Sequence, residues 1–469
     1  MFDFEKIKRI RQNVKRVFQP KTNFASQNRN AYKQRKSESS KGASGIDFGQ
    51  FDALSTKECR LGLSNLRKGL SPRPHGNDCT NPLNIIDAQS DKVMASFLLE
   101  SELGGSALLV RSSYGGGKTS CLDAVYRKAL ARKFAVSKIV INGEDVNLAK
   151  PQCIWEQIVK NITIPAQQFE SVHSSERIGA RAVIQLCVRF LANNNIDVPD
   201  DSPFLRAQKR EEKLLELTGC PPLSWLLSDP QILEKDELID LFSGMAHVDS
   251  ASARLNHILA YKKAEIWPAF KFATQGDRAS FLLSGLGRLF QAVGLKGLIL
   301  LFDEAERWKN LNLAQQTRAG NLLGGLIWGA TAPEGQRTRK HEPRSLIFRS
   351  RFCGGSDFTT KERNYVGLVI AMTPRPEDPP EEQWRQYGHL NEYDLPDWTK
   401  KTFGTFMAKL IPYYCKALEI EIDKSIDLEE LIRTATVKWS KTGNWSPRSA
   451  ITEAALAVLD EEFLKKKIK

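Results

Sequence analysis

The chain lacks any apolar run long enough to cross a bilayer. About 18 to 20 consecutive apolar residues are needed, and the longest candidate here, Gly297 to Phe302, has the length of a buried strand. No secretory leader is expected either: Met1-Phe2-Asp3-Phe4-Glu5 turns basic without an apolar core or a small-residue cleavage site. Its eight cysteines (Cys59, Cys79, Cys121, Cys153, Cys187, Cys220, Cys353, Cys415) include no CxxC pair and lie far apart. Disulfide frameworks and zinc sites need clustered spacings, so free thiols in a reducing cytoplasm are expected. The six histidines are scattered in the same way, which argues against a structural metal. These absences exclude a membrane-embedded, disulfide-stapled or zinc-held protein and point to a cytoplasmic one.

What is present is first a length of 469 residues, suited to about two or three domains. The formal charge of +13 is unevenly placed. Residues 1–41 hold twelve Lys/Arg against three acids (Asp3, Glu5, Glu38), a local +9, which leaves about +4 for the remainder. Within this arm, Ile7, Ile10, Val14 and Val17 recur at helical spacing among basic residues, so 1–18 reads as a basic amphipathic helix. From Pro20 to about Ser44 there is almost nothing to bury, and a linker is expected. The arm is either a solvated tail or a docking segment for nucleic-acid phosphates or an acidic partner. The extreme C-terminus, Lys465-Lys466-Lys467-Ile468-Lys469, is a second basic end.

Hydrophobic patterning predicts a helix within 53–70, another over 91–103, a strand over Ala107 to Val110, a helix from Lys118 to Lys133 and a strand over Ser137 to Ile141. Strand, turn, helix, strand is the opening unit of a parallel α/β sheet. Between strand and helix lies Ser112-Ser113-Tyr114-Gly115-Gly116-Gly117-Lys118-Thr119-Ser120, a P-loop pattern in the context that gives it meaning. Glycines let the backbone curl until its N–H groups face phosphate oxygens, and the helix N-terminus adds partial positive charge. Lys118 would reach the β- and γ-phosphates of ATP, and the Thr119 hydroxyl would ligate Mg²⁺. One position departs from the common GxxxxGK[ST] form, with Ser112 where the first glycine usually stands.

From about Ile154 to Phe290 the period is helical almost throughout, as in Arg181 to Ala192 and Arg210 to Leu217, so a helical insertion is expected over 154–290. Leu298-Ile299-Leu300-Leu301-Phe302-Asp303-Glu304 then reads as a buried strand with two carboxylates at its C-terminal end, where open α/β sheets bind ligands. Asp303 would hold Mg²⁺ through its water shell and Glu304 would orient and deprotonate the attacking water. A third buried strand, Val366 to Met372, ends at Thr373-Pro374. After Pro396 the pattern is helical again, with Ser446-Pro447-Arg448-Ser449 carrying the signals of a helix start. The basic residues Arg337, Arg339, Lys340, Arg344, Arg349 and Arg351, with a Cys353-Gly354-Gly355-Ser356 turn, read as a hairpin over 337–363 or as a solvated loop.

On these residues the chain resembles the bacterial P-loop ATPases associated with BREX-type phage defence, a divergent AAA+ branch near the replication-origin initiators. The matching stretches are Leu108-Leu109-Val110-Arg111 running into Tyr114-Gly115-Gly116-Gly117-Lys118-Thr119, then Lys133 to Val140, Asp303-Glu304-Ala305-Glu306, Met372-Thr373-Pro374 and Pro447-Arg448. The resemblance implies a P-loop NTPase, AAA+-like three-layer sandwich with a parallel central sheet, a helical insertion and a C-terminal helical lid. With the basic arm read from composition over 1–45, the expected domains are an ATPase α/β domain over 46–385 and the lid over 386–469. Thr373 then takes the place of the sensor 1 residue near the γ-phosphate, and Arg448 that of sensor 2, reaching back from the lid. ATP and Mg²⁺ are the implied cofactors, and hydrolysis to ADP and phosphate the implied reaction. Implied partners are other proteins of a defence or DNA-processing complex and further copies of the chain. The chain ends about ten residues after the Arg448 helix, so DNA contact is expected from 1–41 or the 337–363 hairpin rather than from a winged helix. The alternative is a nucleotide-gated DNA- or partner-binding protein with negligible hydrolysis.

Overall fold

The computed structural model describes residues 54–67, 83, 88–166, 177–194, 202–228, 236–243, 275–331, 363–374, 384–385, 388–421, 427–441 and 454–464. The chain divides into two compact units. One comprises Met94–Arg111 and Val125–Tyr393; the other comprises Met1–Val93, Ser112–Ala124 and Asp394–Lys469. No helix among the described residues is long and apolar enough to cross a membrane.

The first unit is built on β1 (Gly105–Arg111), β2 (Ala135–Val140), β3 (Leu298–Asp303), β4 (Val366–Met372) and β5 (Asn391–Asp394). They form one sheet in the order β2-β3-β4-β1-β5. The pairs β2–β3, β3–β4 and β4–β1 are all parallel. Every residue of β3 and β4 is buried, which is why they read as unbroken apolar runs: both faces of such a sheet are covered. Successive side chains point to opposite faces. Leu298, Leu300 and Phe302 share a core with Leu286, Leu289 and Phe290 of α9 (Gln275–Ala292) and with Leu322 and Leu326 of α10 (Leu313–Thr331). On the opposite face Gly367 of β4 lies against Phe97 and Ser101 of α2 (Ala88–Leu103), and a Cβ there would come within 2.4 Å of Ser101 Oγ. The helix can approach the sheet this closely only because residue 367 has no side chain. Helix, sheet and helix make the three layers expected of a P-loop NTPase.

Between β2 and β3 the described residues hold helices: α4 (Pro151–Lys160), α5 (Gly179–Asn193), α6 (Pro203–Thr218), α7 (Pro221–Ser228), α8 (Asp236–Ser243) and α9. Helix α6 has the local signals in full. Ser202 accepts from Leu205 N–H at 3.2 Å, Pro203 opens the first turn, and Gly219 closes it at φ 57. Trp155 of α4 donates to the Phe242 carbonyl of α8 at 3.1 Å, tying two of these helices together.

In the second unit, α1 (Thr56–Arg67) packs on α11 (Lys400–Leu418) and shares a core with α12 (Leu428–Lys441) and α13 (Leu456–Leu459). Ser55 and Glu58 form a reciprocal cap at the start of α1: Ser55 N–H donates to Glu58 Oε2 at 2.7 Å, and Glu58 N–H to Ser55 Oγ at 3.3 Å. Cys59, Leu63 and Leu66 enter a core with Phe403, Phe406, Met407 and Trp439, each large apolar side chain contributing about 1.5–3 kcal/mol. Arg67 then bonds both carboxylate oxygens of Asp460, to which Tyr414 also donates. An N-terminal helix is therefore part of the C-terminal helical bundle.

Candidate functional site

The stretch from Ser112 to Ala124 is a tight loop followed by the first turns of α3 (Lys118–Ala131). Gly115 and Gly117 sit at φ 77 and 95, in the left-handed region that favours glycine. Gly116 N–H donates to the Ser113 carbonyl at 3.0 Å, and Cys121 N–H to Gly117 O at 2.9 Å opens the helix. Lys118 is only 8% exposed. Its ammonium lies across the loop and donates to the Ser112 and Ser113 carbonyls at 3.1 and 3.2 Å. Thr119 and Ser120 follow, half-buried, in the first helical turn, while Tyr114 at the loop tip is 70% exposed.

The departure at Ser112 has a compensating partner. A Cβ on Gly116 would stand 1.7 Å from Ser112 Oγ and 2.9 Å from its Cβ. The serine fits because residue 116 is glycine. Gly116→Ala should therefore destabilise the loop by about 1–3 kcal/mol, the usual cost of overpacking, and weaken nucleotide binding with it. The double change Ser112→Gly/Gly116→Ala should recover most of both losses. Thermal unfolding and ATP titration of the three proteins check this; a double variant as impaired as the single one would contradict it.

The carboxylates are in the other unit, at the carboxyl end of the sheet. β1 and β4 run in register to Arg111↔Met372, and β3 ends at Asp303. Asp303 is 3% exposed, and its Oδ1 accepts from Glu304 N–H at 3.1 Å. Glu304 adopts φ 59, ψ 36, a left-handed conformation unusual for a glutamate, as the chain leaves the strand for a 3₁₀ turn over Ala305–Asn310. The Glu304 carboxylate meets Arg307 Nε at 2.6 Å, and Arg307 also donates to the Asn142 carbonyl beyond β2 at 2.9 Å. Thr373 touches a different glutamate: its hydroxyl donates to Glu306 Oε1 at 2.7 Å. The second oxygen of Glu306, Oε2, is buried and has no hydrogen-bond partner among the described residues, a state that ordinarily costs about 1–3 kcal/mol.

Sequence reasoning named Glu306 only as part of a string and passed over Arg307. Neither shows a signal until the turn after β3 is folded. It also missed β5, whose Glu392 pairs with Arg111 at 3.1 Å, the last residue before the loop, and with Arg385. Arg448, the basic arm 1–45 and the greater part of the 337–363 hairpin lie outside the described residues.

The fit to ATP and Mg²⁺ can be judged from the donors. The loop has the glycine conformations and the near-buried lysine that a phosphate cradle requires. Among the described residues no group of three or more His, Cys, Asp or Glu could hold a metal by itself. Mg²⁺ needs no such cage: one or two protein oxygens suffice, the rest coming from phosphates and water. None of the six described cysteines is in a disulfide. Burial pushes the Cys187 and Cys415 thiols up to about 12, which keeps them protonated and unreactive near neutrality.

Residues 86–174 match the family described as BREX system ATP-binding protein BrxC/D. The matched segment runs from before α2, through β1, the loop, α3 and β2, to beyond α4. Comparison with curated proteins and with solved structures finds no match.

Proposed function

We propose that this protein binds ATP with Mg²⁺ and hydrolyses it, as a switch or motor in a multi-protein complex of BREX-type phage defence. The observation that carries the reading is the loop: a left-handed Gly115 and Gly117, a Gly116 with no room for a side chain and an almost buried Lys118, inside the segment similar to BREX ATP-binding proteins. Strand register supports the rest. The chain passes from Arg111 directly into the loop, and Arg111 ends β1 at the sheet end that also carries Asp303 and Thr373.

In this reading Ser113 to Ser120 hold the phosphates through backbone N–H groups and the Lys118 ammonium. Thr119 and Asp303 would hold Mg²⁺, which would offset the charge on the phosphates. ATP supplies the phosphoanhydride to be cleaved. Glu304 takes the proton released as water oxygen bonds to the γ-phosphorus and the bond to the β–γ bridging oxygen breaks, giving ADP and phosphate. Thr373 helps fix that water, and Arg448 takes the sensor 2 role. DNA or partner contact falls to the basic segments 1–41 and 337–363, and nucleotide-dependent self-association is part of the same reading.

A second reading, a nucleotide-gated binding protein with negligible hydrolysis, is favoured by one observation: the Glu304 carboxylate is already engaged by Arg307. Phosphate release from ATP by the full chain, with and without duplex DNA, separates the two. Turnover that requires Mg²⁺ in either condition supports hydrolysis; ATP binding with no release in both supports the gate.

A further inference from the structure

We infer that Glu306 is a positioning residue for hydrolysis, acting through Thr373; the inference rests on the ATPase reading above. Thr373 stands one residue past β4 and Glu306 in the turn past β3, and a 2.7 Å hydrogen bond joins them across a separation of 67 residues. A threonine hydroxyl has a single hydrogen to give. That hydrogen goes to Glu306, so any further bond at Thr373 Oγ1 is one it accepts.

This restricts what Thr373 can do beside a nucleotide. Oxygens of an ionised γ-phosphate also only accept, so Thr373 held in this way cannot bond to them. A water can donate to it. Glu306 therefore fixes Thr373 as an orienter of water rather than a contact to phosphate. The two glutamates after Asp303 differ accordingly. Glu304 spends its carboxylate on Arg307, while Glu306 keeps one oxygen on Thr373 and a second, Oε2, buried without a partner among the described residues. An apolar residue would fill that place without leaving a buried polar atom unsatisfied, and orphaned groups of this kind call for a reason other than folding.

The test is steady-state ATP hydrolysis and equilibrium nucleotide binding with the full chain. Glu306→Ala should leave nucleotide affinity and KM within about twofold. It should lower kcat about 10- to 100-fold, the scale on which misplacing a reacting group by about 1 Å is felt. Glu306→Gln, whose amide oxygen can accept the same hydrogen, should restore kcat to within a few-fold. Thr373→Val should match Glu306→Ala, and the double variant should be no slower than either, because the two residues act as one unit. If Glu306→Ala does not fold, Glu306→Met, of similar size and without an acceptor oxygen, takes its place. Losses that multiply in the double variant, a kcat unchanged in Glu306→Ala, or a rise in KM alone would each overturn the inference while leaving the ATPase reading in place. Absence of phosphate release from the unaltered protein would overturn both.

Discussion

Replacing Lys118 by alanine should yield a folded protein that no longer retains ATP. Hydrogen bonds to charged groups are worth about 1.5–3 kcal/mol each, and a lysine reaching both the β- and γ-phosphates makes at least two. A loss of about 100-fold or more in affinity is expected. The fold should survive. The Ser112 and Ser113 carbonyls that Lys118 Nζ bonds belong to a loop that is half-exposed or exposed and so open to water. Isothermal titration with ATP, beside a thermal unfolding curve, separates lost binding from lost structure. Retained affinity would mean that the loop is a glycine turn with a lysine in it and nothing more.

Glu304→Gln should have the opposite profile, with ATP binding intact within about twofold and turnover reduced about 10²- to 10⁴-fold, the range of a positioned general base. The substitution keeps size and shape, and glutamine meets the same left-handed backbone at φ 59 that glutamate does. It removes the ion pair with Arg307, which is about 40% exposed on both sides, and pairs so placed are worth about 0–1 kcal/mol. Stability should therefore change little, and the fall in kcat can be read as chemistry. Continued turnover in Glu304→Gln would remove Glu304 as the base and shift attention to Glu306.

The central fold was legible for a physical reason. β3 and β4 are covered on both faces, so their sequences are unbroken apolar runs that end at polar residues, and both were read within a residue of their bounds. The loop was legible because glycine, lysine and threonine between a strand and a helix have few other uses. Strand β5 was not: Asn391-Glu392-Tyr393-Asp394 is short and polar, and its place beside β1 depends on a partner far away in sequence. The same distance hid the engagement of Arg60 of α1 with the Ala417 carbonyl of α11, a separation of 357 residues. At Ser112 the pattern showed a departure but not its remedy, because the room for its hydroxyl is made by Gly116, four positions on, and only after the loop has curled. Glu306 was hidden for a related reason. Its role depends on which hydroxyl the turn after β3 delivers to it, and spacing carries no trace of that.

A structure of the full chain with Mg²⁺ and a non-hydrolysable ATP analogue tests the central claim most directly. The account predicts β- and γ-phosphate oxygens about 3 Å from Lys118 Nζ and from the backbone nitrogens of Gly115 to Thr119, with Lys118 released from the Ser112 and Ser113 carbonyls. An analogue bound elsewhere, with Lys118 still on those carbonyls, would contradict it.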